Sequence, residues 1–498
     1  QPKIKVARDW QYASKRTNAS VKLAQTKSAN WWKLFKDPTL NALVLKGYQD
    51  NLSLQTAGVR VLYSRANLAK SVGSLYPQMQ NLSGSYYYNR LGGSSLGGLI
   101  PNKYYSGSLG LTTNWELDFW GKYRRAIEGN NADFLSSMAG YDYALVSMIG
   151  DIATTYFNIR MYESLISVTR KNINTQRHSL QIVESRFRSG QTSKLDVEQA
   201  KTQLGQTRAQ LPGQISNLKV QKNQLAVLLG TVPGDVDNLL RKSRGLPFAP
   251  RQIEVGFPKE VLAQRPDVAQ ARLDAMASSA AIGATTAELF PALSLVGAFS
   301  FSSTSIGQSS VSDLFDWSRR QVTAGPSVAF PIFNYGQITN AVRMQDALFQ
   351  QSLLNYQNTV LQAQQEVQNS IVQYLQAKNG YYILAQTVRS ARESTRLALV
   401  KYQSGETSYT SVLDAQKEQL GIESSLVETK ASIDIALASL FRALGGGWQL
   451  RGDSDVISDE IREQMAARTN WGGLLKPANH LPQLVSKQSA IKKIRPIW

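Results

Sequence analysis

The run Lys122–Ser189, KYRRAIEGNNADFLSSMAGYDYALVSMIGDIATTYFNIRMYESLISVTRKNINTQRHSLQIVESRFRS, decides the fold. It contains no proline, and packing residues recur in it at alternating steps of three and four. They are Met138, Tyr141, Leu145, Met148, Ile152, Thr155, Ile159, Tyr162, Ile166, Thr169, Ile173, Gln176, Leu180, Val183 and Phe187. A mean step of 3.5 is the heptad seam of a coiled coil and predicts one uninterrupted helix. Such a helix is about 100 Å long, more than a compact domain buries, so it requires partners running alongside. A chain of shorter helices would need breaks, and Gly129, Gly140 and Gly150 come without a proline or loop cluster.

On the N-terminal side, Asp37-Pro38 supplies an N-cap acid and a proline at the first helical position. One helix is expected from there to about Val72, ended by Leu75-Tyr76-Pro77. The period then changes to two. Over 78–89, Gln80, Leu82, Gly84, Tyr86 and Tyr88 fall on one face and Asn81, Ser83, Ser85, Tyr87 and Asn89 on the other. After a Gly/Ser-rich loop over 90–105, a second strand over 106–120 puts Leu109, Leu111, Trp115, Leu117 and Phe119 opposite Ser108, Thr112, Asn114, Glu116 and Asp118. A membrane-barrel strand has this alternation, and so does a half-buried hairpin of a soluble sandwich; the strands alone leave both readings open.

On the C-terminal side the long helix breaks at Ser189-Gly190-Gln191-Thr192-Ser193, and a returning helix runs to Leu229-Gly230. Gly190 suits a left-handed C-terminal cap and Ser193 an N-cap. A linker with several prolines and glycines follows, and then the whole pattern returns about 215 residues on. Leu75-Tyr76-Pro77 recurs as Leu289-Phe290-Pro291, and Ser189-Gly190-x-Thr192-Ser193 as Ser404-Gly405-x-Thr407-Ser408. The seam recurs from Leu353 to Tyr402, and strands are expected over 292–302 and 322–333. The chain thus divides into a basic extension, 1–36; a first repeat, 37–230; a linker, 231–264; a second repeat, 265–446; and a tail, 447–498.

The formal charge of +19 raises nucleic acid, anionic lipid or acidic polymer as partners. Nine of the cations lie in residues 1–36 against the single acid Asp9, with no recognition-helix or zinc-finger spacing beside them. Cysteine is absent, which excludes disulfides and thiolate metal sites. The two histidines, His178 and His480, stand in no metal-binding spacing, so neither a cofactor nor a metal is expected and the chain does not read as an enzyme. Gln1 opens the chain without an apolar leader, and no run approaches 18 apolar residues, leaving strands as the one way to cross a membrane. Four strands cannot close a barrel alone; a trimer would supply twelve. Competing readings are a soluble coiled-coil scaffold, which leaves the strands unexplained, and a basic nucleic-acid-binding protein, which leaves strands and repeat unexplained.

Over residues 31–448 the chain resembles the outer membrane factors, the TolC/OprM-type exit ducts of tripartite efflux pumps and type I secretion systems, closest to the OprM/NodT-like branch. The resemblance is carried by Trp32-x-x-Phe35-x-Asp37-Pro38-x-Leu40, Phe119-Trp120-Gly121-x-x-Arg124-Arg125-Ala126, Gly190-x-x-Ser193-x-Leu195-Asp196-Val197-x-x-Ala200, Arg265-Pro266-Asp267-Val268, and Gly405-x-x-Ser408 leading to Val412-Leu413-Asp414-Ala415. It implies a mixed α and β membrane protein. Three copies form a 12-stranded outer-membrane barrel, four strands per chain, continuous with a long periplasmic α-helical barrel and an equatorial belt. Implied partners are a periplasmic adaptor, an inner-membrane pump of the RND, MFS or ABC type, and outer-membrane lipid, with no nucleic acid.

The resemblance also implies a gate at the helix tips: Asp414 as a constriction ring with Lys417 as electrostatic partner, Ser411 beside it, and Tyr402 latched to Asp196. The adaptor-docking tips are Gly190, Thr192, Ser193, Gly405, Thr407 and Ser408. Asp196 reads equally as a first-turn acid satisfying backbone donors. Two positions depart from the family. Ser411 stands where some members carry a second acid, and Thr407 where TolC has an arginine. The branch's lipidated N-terminal cysteine has no counterpart after Gln1 either.

Overall fold

The computed structural model describes residues 6–11, 13, 21–23, 29–92, 101–241, 245–247, 249–250, 252–307 and 309–476. In chain order the elements are β1 (Val21–Leu23), α1 (Pro38–Asp50), α2 (Leu52–Gly73), β2 (Met79–Arg90), β3 (Lys103–Glu116), α3 (Lys122–Arg188), α4 (Lys194–Leu228), α5 (Val236–Leu240), β4 (Ile253–Val255), α6 (Pro258–Gln264), α7 (Pro266–Thr286), β5 (Ala292–Thr304), β6 (Arg320–Ala329), α8 (Gln337–Ser404), α9 (Tyr409–Ala443) and α10 (Asp459–Arg468). Short 3₁₀ turns join them. Two compact units result, and each draws on both halves of the sequence. One comes from Gln1–Val59, Met138–Gln270 and Gln357–Glu463, the other from Arg60–Ser137, Ala271–Tyr356 and Gln464–Trp498. The tail histidine His480 lies outside the described residues.

The heptad reading of α3 holds: it is one helix of 67 residues, and α8 is one of 68. The α3 seam is buried from Met138 to Val183 apart from half-buried Tyr162 and Leu180; Phe187, at the helix end, is exposed. The seam of α8 buries Val360, Ala363, Val367, Ser370, Tyr374, Val388, Ala391, Thr395 and Tyr402. In the first unit an aromatic cluster packs around the N-terminal anchor, where the Trp31 ring stacks on Phe441 at 5.3 Å and Phe35 meets Phe157 at 4.9 Å. Asp37 caps α1 by accepting from the Thr39 amide at 2.8 Å, and its second oxygen accepts from the Tyr156 hydroxyl at 2.6 Å.

The single helix expected over 37–72 is two. Asn51 leaves the helical region with ψ of 115°. Its Oδ1 accepts from the Leu54 amide at 2.8 Å, capping α2, while its Nδ2 donates to the Leu228 carbonyl at 2.8 Å. The side-chain amide thereby satisfies two helix ends, and the Asn51 backbone N–H, donating to the Gly47 carbonyl at 2.9 Å, a third, which is why the chain breaks at a residue that looks like an ordinary surface position.

In the second unit β2, β3, β5 and β6 form an antiparallel sheet in the order β2-β3-β5-β6. The β2–β3 hairpin is longer than expected, because pairing continues to Arg90 opposite Lys103; residues 93–100 of the expected loop lie outside the described ones. Strand β3 ends at Glu116 rather than 120, and β6 spans Arg320–Ala329 rather than 322–333, its pairing ending at Ala329 opposite Ala292, the first residue of β5. The register places the apolar residues of all four strands together. Leu82 is opposite Leu111, Leu111 opposite Phe299, and Phe299 opposite Val322; residues directly opposite share a face. The other face is polar and cross-linked, with Ser85 and Ser108 hydroxyls 2.8 Å apart, Asn89 donating to Ser106 at 3.0 Å, and Gln321 to Ser302 at 3.2 Å. Among the described residues no helix is long and apolar enough to cross a membrane.

Candidate functional site

Two helical turns meet in the first unit, and their glycines shape them. Gly190 and Gly405 adopt φ of +75° and +80°, the left-handed conformation that glycine enters without steric cost. Each closes a Schellman-type C-cap, through Gln191 N donating to the Arg186 carbonyl and Glu406 N donating to the Lys401 carbonyl, both at 2.8 Å. The next helices start differently. Ser193 is a true N-cap, its hydroxyl accepting from the Asp196 amide at 3.3 Å. Ser408 makes no side-chain cap, and Thr407 instead donates to the exposed Ser411 hydroxyl at 3.0 Å.

Between the turns lies a small core of Val183, Val197, Ala200, Tyr402, Tyr409, Val412 and Leu413. The Tyr402 and Tyr409 rings meet edge to face at 5.1 Å. Tyr402 donates to Thr192 at 3.2 Å, and Thr192 donates in turn to the Asp196 carboxylate. The expected pairing of Tyr402 with Asp196 is thus present as a relay through Thr192, inside one chain and across its two hairpins. Burial raises the Tyr402 hydroxyl above its ordinary value. The Asp196 charge adds to the rise, and the Thr192 bond and Arg186 oppose it. Tyr409 is raised for the same leading reason, with Tyr402 and Asp196 contributing.

Sequence reasoning missed Arg186. Its Nη1 donates to the Tyr402 carbonyl at 2.6 Å and also to the Gln403 carbonyl, and its guanidinium carbon lies 5.0 Å from the centre of the Tyr402 ring. A cation from the last turn of α3 therefore covers the negative C-terminus of α8. The only hint in the sequence is its place four residues before Gly190.

Asp414 and Lys417 are both exposed. The expected pairing between them is absent from the protomer: no hydrogen bond or ion pair engages Asp414 among the described residues. Farther along the hairpins the core turns polar. Buried Glu423 accepts from Arg392 at 2.6 Å, Asn172 at 3.0 Å and Gln419 at 3.1 Å. Gln416 donates to Ser179 at 2.7 Å. Burial alone would raise the Glu423 carboxyl, but those three donors outweigh it and hold it below the usual carboxylate range.

A sheet with one apolar and one polar face, together with paired helical hairpins of this length, is the build of an outer-membrane channel. The chain belongs to the outer membrane efflux protein family, whose profile matches residues 47–231 and 257–446. It is similar to Nodulation protein T of Rhizobium leguminosarum bv. trifolii, 28% identical over 418 residues, covering 84% of this chain and 88% of that protein. It is also similar to the cation efflux system protein CusC of Escherichia coli O6:H1, 26% identical over 423 residues and covering 85% and 89%. Among solved structures the outer-membrane channel OprN superposes with a TM-score of 0.81 at 27% identity, covering 90% of this chain and 98% of OprN. This is a family of channel proteins rather than enzymes. The chain is accordingly an outer-membrane protein of a Gram-negative bacterium, an exit duct of an efflux system that reaches into the periplasm.

Proposed function

We propose that three copies of the chain, each built from two repeats of about 215 residues, form the duct. Their sheets close a twelve-stranded barrel through the outer membrane and their long helices wall a periplasmic tunnel. The observation that carries this reading is the shared register of apolar residues on one face of all four strands, with hydroxyls and amides on the other. Lipid outside and water inside require that division. Strands β2 and β6 are edges, and an open edge in lipid leaves backbone groups unsatisfied; an edge of the next copy satisfies it. Leu361, Tyr382, Ile383, Leu397 and Val400 stand exposed on α8, a surface that neighbouring copies would cover.

The tips form the gate. Asp414 is exposed and unengaged among the described residues of its own chain, which leaves its charge available to a ring of three at the constriction; Ser411 and Lys417 flank it. Such a ring binds cations, which hold the constriction narrow and make its opening sensitive to charge. The Tyr402–Thr192–Asp196 relay is the latch between hairpins. An adaptor docks on the turns at Gly190, Thr192, Ser193, Gly405, Thr407 and Ser408 and joins the duct to an inner-membrane pump, which supplies the energy. Cargo is small molecules such as drugs, chosen upstream of a water-filled tube.

The chain has no cysteine, so single substitutions test the two faces directly. In outer-membrane vesicles a polar, membrane-impermeant maleimide should label Thr112→Cys and leave Leu111→Cys unmodified. Equal labelling of neighbouring positions would remove the barrel reading.

A further inference from the structure

We infer that the loop end of the apolar sheet face is a binding site for a phosphorylated glycolipid of the outer leaflet, held by Arg90 and Lys103. The inference rests on the reading that this face meets lipid.

Arg90 and Lys103 are cross-strand partners in the β2–β3 register, and both are exposed. Like charges directly opposite on one sheet face repel and weaken the hairpin. No hydrogen bond or ion pair relieves them among the described residues, and the sequence holds no acid between Asp50 and Glu116. They continue the face that carries Tyr88 opposite Tyr105, whose rings lie 5.3 Å apart. Apolar surface, then tyrosines, then two paired cations is the order in which a lipid presents acyl chains, glycan and phosphate.

The neighbouring hairpin adds a single cation, Arg320, which donates to the Trp317 carbonyl at 2.7 Å. Arg320 is opposite Phe301 at the same end of the sheet. Its guanidinium lies over the Trp317 ring at 4.7 Å, and Trp317 is 6.4 Å from Phe301. Of the two acids nearby, Asp313 caps the Ser310 amide at 2.8 Å, and Asp316 forms no ion pair with Arg320. The opposite end of the sheet is built otherwise. There Lys122 has Glu116 at 3.5 Å and Glu288 at 3.8 Å, and Arg124 has Asp118 at 2.8 Å. Cations at that end are neutralised by the protein; at the loop end Arg90 and Lys103 have no such acid among the described residues, which leaves them to an anion from outside. A phosphate monoester serves, accepting from guanidinium and ammonium together.

The test measures binding of diphosphorylated lipid A to the detergent-extracted protein by native mass spectrometry, against the same lipid stripped of phosphate and against inorganic phosphate. Recovery of every variant in the outer-membrane fraction is scored first, so that failure to insert is seen apart from failure to bind. Arg90→Gln with Lys103→Gln should weaken lipid binding about thirtyfold, the factor two surface cations supply, and Lys122→Gln should leave it unchanged. Arg90→Glu, which exchanges repulsion for an ion pair with Lys103, should keep the protein at least as stable and still lose the lipid. Unchanged binding in the double variant, equal binding of phosphate-free lipid, or inorganic phosphate bound as tightly as the lipid would each overturn the assignment.

Discussion

Replacing Arg186 by methionine keeps the apolar stem and removes the guanidinium that joins the two hairpins. Two charged hydrogen bonds to the Tyr402 and Gln403 carbonyls go with it, as does the contact with the Tyr402 ring 5.0 Å away. Arg186 is half-buried, so each bond contributes about 1 kcal/mol net, and the ring contact adds about 0.5–1 kcal/mol. The lost interactions together amount to roughly 2–3 kcal/mol. Held entirely in the closed arrangement, that raises the open-to-closed ratio by about 30- to 150-fold. Single-channel recording in planar bilayers reads the change as a higher open probability. Arg188→Met, two residues on from Arg186 and exposed, is the control and should record like the parent. The reasoning fails if Arg186→Met, recovered as an intact assembly, gates like the parent or if both variants shift alike.

Asp414→Ala should raise conductance and lower the preference for cations, read from reversal potentials in a salt gradient; unchanged single-channel behaviour would remove Asp414 from the gate. Glu423 is held low, so its contribution is present above the ordinary glutamate value near 4.3 and is lost as pH falls through its lower folded value. Glu423→Gln should therefore melt below the parent at pH 7, with the two curves converging below about pH 4. Asp434 is the reverse case. It is 1% exposed and its Oδ2 has no hydrogen-bond partner among the described residues; burial pushes its carboxyl well up, against the opposing charge of Lys430. Its contribution is full below the ordinary aspartate value and is lost as pH rises, so Asp434→Asn should melt higher than the parent at pH 7–8, the gap closing near pH 4.

Much of the fold was legible because it is set by local period. The heptad seam located α3 and α8 almost to the residue, since a proline-free helix needs little beyond a continuous apolar stripe. Alternation placed all four strands and the faces of the first two, and Gly190 and Gly405 marked the turns because only a left-handed residue ends a helix that way. The misses are side chains whose partners lie far off in sequence. Asn51 breaks a helix by bonding the Leu228 carbonyl, and nothing within four residues of it announces that. Arg186 clasps carbonyls 216 and 217 positions away. Tyr402 reaches Asp196 through the Thr192 hydroxyl, a partner 210 residues from Tyr402 in sequence. Lys417, one helical turn from Asp414, has the right spacing for a pair, yet two exposed side chains gain little by holding one geometry in water.

The central claim, a membrane duct assembled from several copies, is tested most directly by the mass of the protein after detergent extraction from outer membranes, measured by light scattering corrected for bound detergent. The account predicts a particle of three chains of 55.1 kDa each. A single chain of that mass, or recovery of the protein in the soluble fraction, would contradict it.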